Sequence, residues 1–386
     1  MKKYDVCIIG AGIIGASISR ELSKYNLNIL HLEANAKVGI ETSQGNSGLV
    51  HGGFDPTPGK LNAKLNVLGK KRYEDWIKEL TFPYLRIDST IVAFNDEEVK
   101  HLKMLYERGI INGLDKSELK ILDSNELRIK EPNISHEAVA ALVCNSSIAV
   151  DAPMLAKVLM TNAIKNSVDL HLNEKVVDIK KQNDVWCIKT NKNEYESKII
   201  INVAGHYADK IAKMAGFDEF NLVTRRGEYR ILEKTESGIV NSVVFMVPTI
   251  HGKGVIVAPM LDGHVMVGPT AEEGVPKDET RLVTQEKFDF IGEIGKKLIS
   301  SINMKKTCMT FSGSRPIEPK SDDFWIKATK KDKTFINVAG MKSPAIASAP
   351  AIADYVIEEL IKKPNLIKLE IKPNFDPIQK MVNPLI

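Results

Sequence analysis

Hydrophobic and polar positions at the start of the chain follow two different periods in turn. Apolar runs at Asp5–Ile9 and Leu27–Leu32 predict buried strands, and Ala16–Tyr25 between them has the spacing of an amphipathic helix. A glycine-rich turn over residues 10–15 joins the first strand to the helix. Strand, turn, helix and strand in this order predict a parallel βαβ unit.

The remainder of the chain predicts helices first and strands afterwards. Residues 61–131 are mostly charged and amphipathic, with helical spacing. Further strands are predicted at Val176–Ile179, Val185–Thr190, Ile199–Val203, Arg226–Leu232, Ser242–Val247, Gly254–Pro259, His264–Gly268 and Thr334–Val338. A closing helix is predicted over Pro344–Ile361, with the proline at its first position.

The order of these elements predicts a discontinuous domain. No repeat and no linker rich in proline, glycine or serine divides the chain into two consecutive domains. We therefore predict one nucleotide-binding domain assembled from residues 1–80, 145–216 and 313–386. A β-rich domain that binds the substrate is predicted as an insertion, built from residues 81–144 and 217–312.

The composition excludes several classes of partner. The 386 residues contain 53 Lys and Arg against 49 Asp and Glu, and the two signs of charge are interspersed. We therefore expect no nucleic-acid partner. No apolar run approaches the roughly 18 residues of a membrane-spanning helix. A predicted strand begins almost at Met1, so we expect no signal peptide.

The cysteines indicate a reducing compartment. The four of them, Cys7, Cys144, Cys187 and Cys308, lie far apart and form no C-x-x-C pair. Such spacing favours free thiols over a disulfide framework or a zinc site. We therefore expect a cytoplasmic protein without a bound metal, and a membrane or transporter association stays open.

The turn after the first strand carries the most informative motif. Gly10, Gly12 and Gly15 form G-x-G-x-x-G between a predicted strand and a predicted helix, which is the context of a dinucleotide site. The free N–H groups at the start of that helix favour a phosphate. Glu33 ends the second strand, 18 residues after Gly15, where a carboxylate binds a ribose diol. A carboxylate there disfavours the 2′-phosphate of NADP, which leaves NAD or FAD.

Three other segments of small residues are suited to contact a cofactor. Residues 39–48 are rich in glycine and hydroxyl side chains, and residues 202–205 end a predicted strand in a small-residue turn. Residues 340–344 lead into the last helix, whose N-terminus favours negative charge on a bound ring. Each segment is equally compatible with an ordinary turn from a strand to a helix.

Taken together, these segments resemble the FAD-dependent oxidoreductases of the D-amino-acid-oxidase superfamily, in order and over essentially the whole chain. The resemblance implies an α/β fold, with a Rossmann-like FAD-binding domain and an inserted mixed β-sheet substrate domain. It implies FAD contacts from Gly10, Gly12, Ile14, Gly15, Glu33, Thr42, Ser43, Asn46, Ser47, Gly48, Leu49, Val176, Ala204, Gly205, Gly340, Met341 and Lys342.

Within this superfamily, the segment from Asn46 to Gly53 resembles the hydroxy-acid branch, and residues 252–255 resemble its members that act on glycerol 3-phosphate. The resemblance implies that His51 is the base, since imidazole titrates near neutral pH. It implies an anion clamp of Lys253, Arg315 and Ser343, which with His51 would contact the substrate. We expect oxidation of sn-glycerol 3-phosphate to dihydroxyacetone phosphate, with O₂ as acceptor and hydrogen peroxide as product.

Four alternatives remain beside this expectation. An L-2-hydroxy-acid oxidase would use the same base and Arg315, and an amine oxidase would need His51 less. The other two alternatives are a non-catalytic FAD-binding protein and a nicotinamide dehydrogenase. The small residues at 39–48 and the lack of a second G-x-G-x-x-G disfavour the nicotinamide dehydrogenase. Residues 225–229 depart from the family pattern at Arg225, where an apolar residue is usual, so we do not expect them in the site.

Overall fold

The computed structural model of the chain describes residues 2–247, 254–383 and 385–386, which form two β-sheets with helices packed against them. The α-helices are α1 (Ile13–Leu22), α2 (Leu61–Glu79), α3 (Asp96–Asn112), α4 (Ser124–Lys130), α5 (Ala152–Lys165), α6 (Ala208–Met214), α7 (Gln285–Leu298) and α8 (Ala345–Tyr355). The strands are β1 (Lys2–Ile9), β2 (Ile29–Leu32), β3 (Leu49–Val50), β4 (Tyr84–Ala93), β5 (Leu119–Asp123), β6 (Ala140–Val150), β7 (Val168–His171), β8 (Val176–Gln182), β9 (Val185–Thr190), β10 (Glu194–Asn202), β11 (Val223–Leu232), β12 (Val243–Met246), β13 (Ile256–Pro259), β14 (Val265–Gly268), β15 (Glu272–Glu273), β16 (Thr307–Ile317), β17 (Trp325–Ala328) and β18 (Phe335–Ala339).

The first sheet has the order β17-β18-β10-β1-β2-β7, and β9 pairs with β10 and with β8. Strands β18, β10, β1, β2 and β7 run parallel, which confirms the predicted βαβ unit. Every residue of α1 is buried because the helix also packs against α5 and α8. A helix that is covered on all sides is expected in the core of a large domain.

The second sheet is mostly antiparallel and has the order β15-β11-β14-β13-β12-β4-β6-β3. Strand β16 pairs along the length of β11, from Val223↔Ile317 to Leu232↔Thr307, and β5 pairs with β6. The only parallel pair that the described residues form in this sheet is β12 with β4. The mixed character predicted for this sheet is therefore confirmed.

The structure corrects the helical prediction for residues 61–131. Strands β4 and β5 interrupt it, because the end of β4 is buried on both faces against neighbours in the second sheet. The β-branched run Thr90–Val92 within β4 is the local signal for this strand. A second correction concerns Pro344, which precedes the first helical residue of α8.

The predicted domain boundaries at residues 145 and 313 fall inside β6 and β16, and β3 of the second sheet lies within residues 1–80. The division into domains therefore stays a prediction. Among the described residues, no helix combines the length and the apolar character that crossing a bilayer requires.

Candidate active site

Four parallel strands of the first sheet end at one edge, and a large cavity lies there. The segments that follow β1, β2, β10 and β18 are residues 10–15, Glu33, residues 203–205 and residues 340–344. These segments border a cavity of about 770 Å³, to which β11 and β16 of the second sheet also contribute. Open parallel sheets bind their ligands at this edge.

Most of the residues predicted to contact a cofactor or a substrate line this cavity. They are Gly10, Gly12, Ile14, Gly15, Glu33, Thr42, Ser43, Asn46, Ser47, Leu49, His51, Val176, Ala204, Gly205, Arg315, Met341, Lys342 and Ser343. Gly48 and Gly340 are the chain neighbours of lining residues without lining the cavity themselves. Lys253 lies outside the described residues.

The glycine turn after β1 has the close packing that its motif predicts. Gly10 has φ +108°, and a Cβ there would lie 2.7 Å from the carbonyl oxygen of Val203. A Cβ at Gly15 would overlap the carbonyl oxygen of Gly10. The backbone N–H of Ile13 donates to the Ser43 Oγ at 2.9 Å, which joins the start of α1 to residues 39–48. The turn thus holds the N-terminus of α1 at the cavity.

A buried histidine that the sequence analysis did not single out supports this turn. The His31 Nε2 lies 2.9 Å from the carbonyl oxygen of Gly10, and the Nδ1 lies 2.6 Å from the Ser19 Oγ. A carbonyl oxygen can only accept, so Nε2 carries the proton and Nδ1 accepts from the hydroxyl. Burial lowers the pKa of His31 to about 4, which keeps the ring neutral.

Glu33 is held by backbone and side-chain donors at the end of β2. Its Oε2 accepts from the N–H of Ala11 at 2.6 Å, and its Oε1 accepts from the N–H of Asn35 at 2.8 Å. Burial raises the pKa of Glu33, and these hydrogen bonds act in the opposite direction. The carboxylate lines the cavity, in the position expected for binding a ribose diol.

Residues 39–48 form a loop that Asn46 braces from within. The Asn46 Nδ2 donates to the carbonyl oxygens of Thr42 at 3.0 Å and Ser43 at 2.6 Å, and its Oδ1 accepts from the N–H of Gly48 at 2.7 Å. The loop also packs backbone against backbone on β16, since a Cβ at Gly45 would lie 2.5 Å from the Cα of Gly313. The two sheets are thereby joined beside the cavity.

His51 follows β3 in a loop that two side-chain amides hold, one buried and one half-buried. The Asn66 Nδ2 donates to the carbonyl oxygen of His51 at 2.8 Å, and the Asn112 Nδ2 donates to that of Gly53 at 2.9 Å. His51 itself lines the cavity. A histidine fixed by its backbone beside a cavity is suited to accept a proton from a bound molecule.

Arg315 supplies a cation in the cavity wall. Its Nη2 lies 3.3 Å from the position that a Cβ on Gly227 would take, so the guanidinium passes over the backbone of β11. It hydrogen bonds with Tyr229, whose pKa is raised by burial and lowered by the charge of Arg315. The Tyr229 ring stacks on Phe311 with the centroids 4.4 Å apart. Arg315 is thus positioned by the backbone of Gly227 and by Tyr229, whose ring is in turn held by Phe311.

Residues 225–229 were not expected in the site, but the structure places Arg225 and Tyr229 in the cavity wall. The reason is the register of β11 against β16, which sets Arg225 opposite Arg315. Side chains directly opposite in an antiparallel pair share a face of the sheet. A pairing between strands so distant in the chain leaves no local signal in the sequence.

The rest of the cavity wall contains residues that the sequence predicted to be in the site and residues that it did not. Lys342 forms an ion pair with Asp322, and Ser343 lines the cavity at the entrance to α8. Phe245 and Ile256, which the sequence analysis did not name, add apolar surface. Apolar walls with a few placed polar groups are typical of ligand sites.

The described residues that line the cavity fit a dinucleotide cofactor such as FAD. A Cβ at Gly10 or Gly15 would clash with neighbouring backbone atoms, so the turn before α1 carries no side chain at these positions. The Glu33 carboxylate borders the same cavity. These two features are suited to a pyrophosphate and a ribose. His51 and Arg315 line the same cavity, which therefore holds an imidazole and a guanidinium.

Comparisons with known proteins agree with this fit. Residues 5–359 match the family described as FAD dependent oxidoreductase. The glycerol 3-phosphate oxidase of Mycoplasma genitalium is 42% identical over 382 residues, which are 98% of each chain. The L-2-hydroxyglutarate dehydrogenase of Nematostella vectensis is 30% identical over 69% of this chain and 62% of its own.

A solved structure gives the same result for the fold. The dithionite-reduced L-alpha-glycerophosphate oxidase from Mycoplasma pneumoniae, with FAD bound, superposes with a TM-score of 0.94 and 40% identity. The superposition covers 99% of both chains.

Proposed function

The chain belongs to the family of FAD-dependent oxidoreductases, and we propose that it oxidises sn-glycerol 3-phosphate to dihydroxyacetone phosphate. The predicted fold and the predicted cofactor, FAD, are confirmed by this membership. The observation that carries the proposal is that His51 and Arg315 line one cavity with the residues that fit FAD. A relative covering 98% of the chain is a glycerol 3-phosphate oxidase.

His51 is the proposed base. The C2 hydroxyl of the substrate must lose a proton as its C2 hydride leaves, and an imidazole accepts a proton efficiently near neutral pH. FAD, when bound, supplies the acceptor of that hydride. Asn66 fixes the backbone from which the imidazole projects.

Arg315 is the proposed anchor for the phosphate. A guanidinium offers a planar fork of donors that matches phosphate oxygens. Tyr229 and the backbone of Gly227 hold this fork against the cavity. Ser343 and Lys253 are proposed as further contacts with the substrate, and Phe245 and Ile256 exclude water from the reacting carbon. O₂ is the proposed electron acceptor, with hydrogen peroxide as product.

The test is anaerobic mixing of the purified holoenzyme with sn-glycerol 3-phosphate while the visible flavin absorbance is followed. We expect rapid loss of that absorbance, and recovery with release of peroxide when air is admitted. A protein that keeps its absorbance with this substrate and loses it with L-2-hydroxyglutarate would instead be a hydroxy-acid oxidoreductase.

The base is tested separately with His51→Asn, which keeps a polar side chain but accepts no proton at neutral pH. We expect the rate of flavin reduction to fall by about 10²–10⁴-fold. A near-normal rate would exclude His51 as the base.

A further inference from the structure

Two arginines face each other across a strand pair at the wall of the cavity. Arg225 on β11 is the register partner of Arg315 on β16, and both line the cavity. Because the strands are antiparallel, the two side chains lie on the same face. Like charges directly opposite each other repel, so this arrangement favours a bound anion.

Among the described residues, Arg225 is the one of these two arginines that forms an ion pair. Glu273 on β15 is the register partner of Arg225 on its other side, and the Arg225 Nε donates to the Glu273 Oε1 at 2.9 Å. The Glu273 side chain is 62% exposed, whereas that of Arg225 is 23% exposed. An ion pair with such an exposed partner contributes little to stability, so Arg225 can exchange Glu273 for a ligand at small cost.

The side chain of Arg315 extends along β11 towards Gly227. Its guanidinium lies over Gly227 and contacts Tyr229, which places it along the strand and away from Arg225. A phosphate monoester carries about two negative charges at pH 7, whereas a carboxylate carries one. A second guanidinium therefore distinguishes a phosphate from a carboxylate more strongly than Arg315 does alone.

We propose that Arg225 is a specificity-determining residue that exchanges its ion pair with Glu273 for the phosphate of the substrate. The inference rests on the proposed function, and it assigns the selectivity for a dianion to a residue outside the predicted anion clamp. Arg315 anchors the substrate, and Arg225 adds the contact that a monoanion does not need.

The test compares two variants of the same ion pair in the FAD-loaded enzyme. Arg225→Met removes the proposed phosphate contact, so we expect the dissociation constant of sn-glycerol 3-phosphate to rise by about 10–100-fold, with a smaller effect on the limiting rate of flavin reduction. Glu273→Gln releases Arg225, so we expect the dissociation constant to fall by a few-fold. Stopped-flow reduction at varied substrate concentration measures both quantities.

Opposite changes in the dissociation constant for the two variants would distinguish a role of Arg225 in binding from a purely structural role. If the ion pair were only structural, Arg225→Met and Glu273→Gln would both weaken binding, and that result would overturn the inference. Arg86→Met is the matched control, because Arg86 forms a two-pronged ion pair with Glu74 and does not line the cavity. An equal effect of Arg86→Met would show that only net charge matters.

A second readout separates this inference from the proposed function. Titration with inorganic phosphate, followed by the change in the flavin spectrum, measures anion binding without turnover. A wild-type enzyme that binds phosphate but is not reduced by glycerol 3-phosphate would refute the proposed function alone. Equal phosphate affinities of the wild type and Arg225→Met would refute the role of Arg225 alone. Should Arg225→Met fail to fold, Arg225→Lys provides the test, with weaker phosphate binding expected.

Discussion

The side-chain amide of Asn66 donates a hydrogen bond of 2.8 Å to the backbone carbonyl oxygen of His51. Asn66 lies in α2 and is fully buried, whereas His51 lines the cavity. The position of the imidazole therefore depends on a donor that does not itself reach the cavity. Asn66 is a positioning residue for the proposed base.

Asn66→Ala should lower both stability and the rate of flavin reduction. Loss of this hydrogen bond should lower the unfolding free energy by about 0.5–1.5 kcal/mol. A small displacement of a catalytic group can cost about 10²-fold in rate, so we expect a loss of at least tenfold in the limiting rate. Denaturant titration and anaerobic stopped-flow mixing measure the two effects.

Asn162→Ala is the matched control for this variant. Asn162 is also fully buried, and its Nδ2 donates to a backbone carbonyl oxygen, that of Asp376, at 3.0 Å. It does not line the cavity. We expect a comparable loss of stability with an unchanged rate of flavin reduction. An equal loss of rate in both variants would show that Asn66 acts only through stability.

Arg315→Ala should weaken substrate binding more than it slows chemistry. A hydrogen bond from a charged group contributes about 1.5–3 kcal/mol, which corresponds to a rise of about 10–150-fold in the KM for glycerol 3-phosphate. Tyr229→Phe removes one contact of the guanidinium, so we expect a smaller rise of a few-fold. Steady-state assays of peroxide release measure the KM of both variants.

An unchanged KM in Arg315→Ala would contradict its role as the phosphate anchor. Arg128→Ala provides the comparison, because Arg128 donates to the carbonyl oxygens of Ser124 and His136 and does not line the cavity. We expect its KM to equal that of the wild type.

Gly313→Ala should weaken the binding of FAD. A Cβ at Gly313 would overlap the backbone of Gly45, so residues 39–48 would move away from β16. Those residues include Ser43, which holds the start of α1 at the cavity. We expect the dissociation constant of FAD to rise by at least tenfold, measured by quenching of flavin fluorescence on addition to the apoprotein.

Gly238→Ala separates this effect from the general cost of replacing a glycine. Gly238 has φ +80°, and an added Cβ would meet no atom within 4 Å, so the variant tests backbone strain alone. Such strain costs about 1–2 kcal/mol in unfolding free energy. We expect FAD binding to stay unchanged, and equal FAD loss in both variants would refute the role of the contact between Gly45 and Gly313.

The parts of the site that a local pattern specifies were predictable from the sequence. The glycine turn at residues 10–15 and Glu33 depend on residues close together in the chain, and the strand before the turn has a clear apolar run. The resemblance then added His51 and Arg315, which both line the cavity.

The other contributions depend on contacts between distant segments. Arg225 enters the cavity wall through the pairing of β11 with β16, and Asn66 reaches His51 from a helix. The pattern of β4 favours a helix because its first half, with Arg86 and Asp88, resembles the amphipathic helices on either side. Local spacing carries no information on strand register or on which carbonyl a buried amide meets.

Acid should destabilise the protein through His31. Burial lowers the pKa of His31 to about 4, whereas an unfolded histidine titrates near 6.5. Stability from this group is therefore fully present above pH 6.5 and is lost as the pH falls towards 4. The difference between the folded and unfolded pKa values corresponds to about 3 kcal/mol of unfolding free energy. Denaturant titrations between pH 7 and pH 4 measure this loss.

His31→Gln removes the titrating ring and keeps a donor for the carbonyl oxygen of Gly10. The variant should be less stable than the wild type at pH 7, and the difference should shrink as the pH falls, because only the wild type must take up a proton on unfolding at this position. Burial also lowers the pKa of His206, but His206 is present in both proteins and cancels in the comparison. His136→Gln, at an exposed position, should keep the wild-type dependence on pH. Parallel curves for His31→Gln and the wild type would show that His31 is not the group that destabilises the fold in acid.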